Sequence, residues 1–174
     1  MPARVPELTC DILVEDEGWS RKRVALQPLC DETLGAAWRT IKGRSRTRPY
    51  VSVTFTGDRA IRRINRKFRA KDKATNVLSF QTFAHHRDFP AKPAPLPVGD
   101  IVLAVETIER EARQKRIAFR AHLTHLLVHG FLHLCGYDHM DDGDADKMEN
   151  LEIRILQSLG VKNPYAGAVI FAMD

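Results

Sequence analysis

Cysteine is scarce in this chain of 174 residues: three, at Cys10, Cys30 and Cys135, widely spaced and with no CxxC pair. That argues against a disulfide framework, and a reducing cytoplasm is the expected compartment. No apolar run approaches the ~18 residues that a membrane-spanning helix needs, so no membrane role is expected. The first residues, MPARVPELTCDILVEDEG, lack an apolar stretch and carry several acids, so no signal peptide is expected. Aromatic residues make up only 7%, and internal repeats are absent. The length fits one domain spanning residues 1–174, with the stretch from Val161 expected to be a short, loose tail.

What the chain does have is charge, unevenly placed. The net charge is +5. Between Arg59 and Lys73 stand eight basic residues and one acid, Asp72, whereas between Asp141 and Glu152 stand six acids and one lysine. A basic stretch of that density is either a solvated helix face or a hold on phosphates.

Periodicity outlines the elements. LTCDILVE (8–15) and YVSVTFT (50–56) read as strands, as do NVLSFQTF (76–83) and DIVLA (100–104), the last two as an antiparallel edge pair. Helical spacing runs from Ser20 to Trp38 despite Pro28 and Gly35. A second helix, capped by Asp58, buries Ile61, Ile64 and Phe68. Three more are expected over 106–115, 120–135 and 142–159, with Asp142 as an N-cap and Gly136 and Gly160 as stops. FPAKPAPLPVG (89–99) carries four prolines and is expected to be a mobile loop, not a helix or central strand. His85 and His86, beside it, are expected to be exposed. The order β, α, β, α, β, β, α, α, α gives an α+β fold: a small mixed sheet of about four strands packed with helices.

Seven histidines occur, and HGFLHLCGYDH (129–139) holds three of them. His129 and His133 are four apart on one helix face, so both rings can reach one ion. His125 and His133 are about 12 Å apart along that helix, too far to share it. The third ligand must come from chain that turns back. Gly136 permits the turn, and His139 follows three residues later. His122 and His125 read as a polar seam or as partners of the ligands, and Cys135 as a core residue. Three imidazoles with one open position suit a catalytic zinc, although nickel, copper and iron also accept imidazole. Such a site favours hydrolysis. The spacing is that of H-E-x-x-H-x-x-G-x-x-H metallopeptidases, but their general-base glutamate is replaced by Gly130. Phosphodiester hydrolysis instead needs cations around developing negative charge, and the stretch 59–73 offers them.

HGFLHLCGYDH resembles the H-G-x-L-H-L-x-G-Y-D-H signature of the YbeY family of bacterial endoribonucleases. NRKFRAKDKATNVLSF (65–80) is similar to that family's N-x-x-[YF]-R-x-K-D-x-P-T-[DN]-V-L-S-F, with Ala74 where proline is usual, and GDIVLA (99–104) to its G-D-I strand. The resemblance implies one zinc ion per chain held by His129, His133 and His139, and a functional arginine at Arg69 that contacts RNA phosphate. It implies single-stranded RNA as substrate, in particular the 16S rRNA precursor at its 3′ end. It also implies roles in ribosome maturation and quality control, with the small ribosomal subunit and the GTPase Era as partners. From the residues themselves, Arg69 could otherwise pair with Asp72. Lys71 and Lys73 are either RNA guides or solvated charges. Asp138 orients an imidazole or caps its own turn, and Asp100 is a remote candidate to support a ligand. The alternatives are a zinc-stabilised ribosome assembly factor with little turnover, and a metallopeptidase-like hydrolase.

Overall fold

The computed structural model describes residues 7–42, 47–91 and 95–166. Within them the chain forms strands β1 (Thr9–Val14), β2 (Arg48–Thr56), β3 (Val77–Gln81) and β4 (Pro95–Ala104), and helices α1 (Leu26–Lys42), α2 (Asp58–Arg69), α3 (Val105–Lys115), α4 (Phe119–Leu134) and α5 (Asp142–Ser158). The sheet order is β1-β2-β4-β3. β1, β2 and β4 are parallel. β3 runs antiparallel along β4 as the edge strand, with Ser79 opposite Ile101 and Phe80 opposite Asp100. This is the expected α+β architecture.

Strand alternation divides the sheet into two faces. On one, Val51, Val53, Phe55, Ile101 and Leu103 join α1 and α4 in the main core. On the other, Leu78, Val102 and Ala104 pack on Ile61 of α2. α4 is apolar nearly all round because it lies inside: Leu123, Leu127, Val128, Phe131 and Leu132 are all fully buried.

Several expectations change. The segment expected as one helix from Ser20 is a short 3-10 turn, Glu17–Lys22, followed by α1. Arg23, in the left-handed conformation, separates them. Pro28 falls in the first turn of α1, where its missing N–H would have had no helical partner. The proline-rich segment contributes a strand after all. Pro95–Val98 extends β4 alongside β2, at a position between two other strands. Two features make prolines tolerable there: β3 gives β4 no partner before Gly99, and the register with β2 shifts next to Pro97. Phe89 of the same segment is buried and stacks on Trp38 at 6.1 Å. Residues 92–94 lie outside the described residues.

Helix capping also differs. Gly57, not Asp58, is the N-cap of α2. Asp58 instead accepts from Thr107 N at 3.1 Å and Thr107 Oγ1 at 2.6 Å, while Glu106 accepts from Asp58 N at 2.8 Å. α2 and α3 thus satisfy each other's first-turn N–H groups. Asp141, one residue before the expected cap, accepts from Asp144 N and caps α5. The expected loose tail is docked as far as it is described: Val161 packs on the core, and the Tyr165 hydroxyl donates to Glu152. Residues 167–174 lie outside the described residues.

Candidate metal centre and its basic edge

α4 ends where the sequence places a stop. Gly136 has φ +92°, and its N–H bonds His133 O at 3.0 Å while Tyr137 N bonds Leu132 O at 3.0 Å. These two bonds close the last turn in the Schellman pattern. A Cβ on Gly136 would lie 2.5 Å from Ala84 O and 2.8 Å from His85 Cα. The strand-following segment packs there, with His86 N donating to Cys135 O at 2.9 Å. His86 is therefore buried and stacked on Tyr137, and His85 is half-buried, in contrast to the exposure expected of both. Beyond the turn, Asp138 Oδ1 accepts from His139 N at 2.7 Å, so this exposed carboxylate shapes its own loop.

The loop brings His139 back over α4. Its ring lies 5.7 Å from that of His129 and 5.2 Å from that of His133. One ligand atom from each of the three imidazoles falls within 4.8 Å of the others. His129 Nε2 and His133 Nε2 face each other at 3.1 Å. Zn–N bonds of about 2.0–2.1 Å at tetrahedral angles place two ligand nitrogens about 3.3 Å apart, so this donor set fits such an ion. Burial first, then repulsion from His129 and His139, lower the His133 imidazolium to about 4. Its lone pair is available at neutral pH.

The other nitrogen of His129 is also engaged. Nδ1 lies 2.6 Å from Glu152 Oε1, and Glu152 Oε2 bonds His125 Nε2 at 2.9 Å and the Tyr165 hydroxyl. Glu152 stands on α5 and is 1% exposed. Burial alone would raise its carboxyl. The hydrogen bonds from His125, His129 and Tyr165 outweigh that and hold it at about 2. Burial and the contact with Glu152 keep the Tyr165 phenol protonated, as a donor. His125, His129 and Glu152 form a second compact donor group. Its short internal hydrogen bonds mark it as a support for His129, with His125 in the polar seam read from the sequence. Glu152 and Tyr165 are the residues that sequence reasoning missed. A signal was there: Glu152 shares the stripe of Met148, Ile155 and Leu156, all buried, so a carboxylate stands at a core position.

Gly130 lies under β3. A Cβ there would meet Ser79 Oγ at 3.0 Å and Ile101 and Val77 at 3.3 Å. Helix and sheet approach too closely for a glutamate at this position. Ser79 Oγ donates to Gly130 O at 3.0 Å, and Ser79 O accepts from Arg69 Nη2 at 2.8 Å. Ser79 thereby joins Arg69 to the helix turn that carries His129. Arg69 is exposed, lies over the Phe80 ring at 5.6 Å, and forms no ion pair among the described residues. Asp72 binds Arg62 instead, at 2.9 and 3.2 Å. Lys71 and Lys73 are exposed on the turn that follows. Buried Asn65 holds that turn, donating to Lys73 O at 2.9 Å. Asp100 points with Val102 to the α2 face, away from α4, and has no place at the imidazoles.

A family model described as Endoribonuclease YbeY matches residues 14–160. A curated Endoribonuclease YbeY of Rhizobium johnstonii is 47% identical over 169 residues, 92% of this chain and 95% of the relative. That of Agrobacterium fabrum is 49% identical over 169 residues, 92% and 96% of the two chains. The solution structure of a Thermotoga maritima protein superposes with a TM-score of 0.53 at 22% identity, covering 87% of this chain and 91% of that one, and shares the fold.

Proposed function

Since this chain belongs to the YbeY family of endoribonucleases, we propose that it cuts single-stranded RNA with one zinc ion held by His129, His133 and His139. The observation that carries this reading is the convergence of three imidazole nitrogens within 4.8 Å, one of them backed by a buried carboxylate. A zinc ion there would supply Lewis acidity to charge developing on phosphoryl oxygens and to the attacking water. The chain's own residues do the rest. Glu152 fixes the His129 ring so that Nε2 faces inward. Arg69, held by Ser79 O and the face of Phe80, presents its remaining N–H donors to a phosphate and stabilises the negative charge of the transition state. Lys71 and Lys73, on the turn that follows α2, draw the RNA backbone by charge. No helix among the described residues is long and apolar enough to cross a membrane. The proposed setting is the cytoplasm. There the substrate is the 3′ end of the 16S rRNA precursor, in ribosome maturation and quality control, with the small ribosomal subunit and the GTPase Era as partners.

A second reading has its own support. An ion at these imidazoles would tie the 137–139 loop to α4, and Glu152 already ties α4 to α5, so zinc could serve chiefly to stabilise an assembly factor. A peptidase reading loses ground at Gly130, where no general-base glutamate fits.

Cleavage of a single-stranded 16S 3′-end RNA, measured together with zinc content, separates these readings. His133→Ala is expected to lose both zinc and cleavage. Arg69→Ala keeps its zinc but cleaves about 10²–10³-fold more slowly. Undiminished cleavage by both variants would overturn the assignment.

A further inference from the structure

The sequence pattern places Phe68 on the buried stripe of α2, with Ile61 and Ile64. The fold does otherwise. Ile61 is fully buried and Ile64 half-buried, but Phe68, at the end of the stripe over the edge strand, stands 60% exposed. Its ring is not loose. It meets Phe80 edge-on at 5.4 Å and 65°, and Lys67 Nζ lies 5.2 Å from its centroid. Arg69 lies over the neighbouring Phe80. The result is an aromatic step with cations on either side, at the open edge of β3.

Charge complementarity selects the occupant. Lys67 lies by this ring and Arg69 by the adjoining Phe80, and Arg66 and Lys71 flank them in the sequence, so a basic or plain apolar protein surface would be repelled or left unmatched. What fits is a polyanion that also carries flat apolar faces, which is an unpaired nucleotide. Bases inside a duplex are already stacked and cannot offer a face. We propose that Phe68 is a stacking platform for an unpaired base of the RNA, set beside the phosphate-holding Arg69, and that it selects single strands over duplex. Ser79 places the two halves together: its carbonyl holds Arg69, and its hydroxyl binds Gly130, the residue after His129. This inference rests on the RNA-cleaving reading above.

The test is RNA binding by the metal-stripped full chain, which removes cleavage from the measurement. Phe68→Trp supplies a reporter, since Trp19 and Trp38 are each 1% exposed and form a constant background. Single-stranded RNA is expected to quench the new emission, and a duplex of the same sequence or an abasic oligonucleotide is not. Phe68→Ala should weaken single-strand binding about tenfold, with the salt dependence unchanged because no phosphate contact is lost. Phe68→Leu, which keeps the apolar bulk, should weaken it similarly, and Phe68→Trp should retain it. Wild-type affinity in both Phe68→Ala and Phe68→Leu, or equal quenching by the abasic strand, overturns the platform while leaving the nuclease reading intact. Failure of the wild-type chain to bind RNA at all, with zinc bound as well as stripped, overturns both.

Discussion

At the scale of single residues, the candidate metal centre depends on which nitrogen of each imidazole faces inward. His129 is the best determined of the three because Glu152 takes its Nδ1. Replacing a carboxylate that supports a ligand imidazole typically costs 10–100-fold in metal affinity. Glu152→Ala is therefore expected to weaken zinc binding by about that factor and to lower the melting temperature of the metal-free chain as well. Glu152→Gln should recover part of the stability. Zinc competition against a chromogenic chelator reads the first effect and thermal melting the second; unchanged affinity in Glu152→Ala would remove the support role. His122 tests a different balance. Its Nε2 lies 2.7 Å from Glu111, yet burial outweighs that carboxylate and lowers its pKa below 6.5. Protonation would also leave its buried Nδ1, which has no partner among the described residues, as an N–H with no acceptor. The unfolded chain then binds this proton more readily than the folded one. Stability falls as pH drops below about 6.5 toward the folded value. Glu152 acts in the same direction in a lower window, from 4.5 down to about 2. Between pH 7.5 and 5.5, the metal-free wild type should lose more melting temperature than His122→Gln. Equal losses would contradict the neutral, buried imidazole.

At the scale of elements, the site is a helix, a stop and a returning loop. This was legible because each part has its own sequence signal: histidines four apart, a glycine where φ must be positive, and a histidine three residues on. Gly136→Ala combines a strained backbone with a Cβ only 2.5 Å from Ala84 O. It is expected to destabilise the fold by about 1–3 kcal/mol and to lower zinc affinity by displacing His139. Melting and zinc titration of the same preparation check both, and a wild-type profile would show that the turn does not position the ligand. Other features were hidden because they depend on partners distant in sequence. Pro95 and Pro97 look incompatible with a strand until the missing β3 partner and the shifted register with β2 are known. Asp58 looks like a cap for its own helix until Thr107 arrives from α3. Phe68 reads as core because periodicity counts residues along a helix and says nothing of which strand, inner or edge, each one meets.

At the scale of the whole molecule, the four-stranded sheet separates two jobs. α4 and α5 build the imidazole cluster and its carboxylate support on one face, and α2 carries the cations and the exposed aromatic ring on the other. The two meet at the edge strand through Ser79. The charge asymmetry was visible in the sequence, but the meeting point was not, since it rests on one hydroxyl and one carbonyl of a strand residue with no chemical signature of its own. Joining the halves is what makes the molecule a candidate nuclease rather than a metal-stabilised scaffold with a basic helix. The most direct measurement is cleavage of a single-stranded RNA spanning the 16S 3′ end by chelator-stripped protein, before and after adding one equivalent of zinc, beside an identically purified His129→Ala, His133→Ala control. Cleavage is expected to be lost on stripping, restored by zinc, and absent from the control. Equal cleavage by protein and control, or none after zinc has bound, would contradict it.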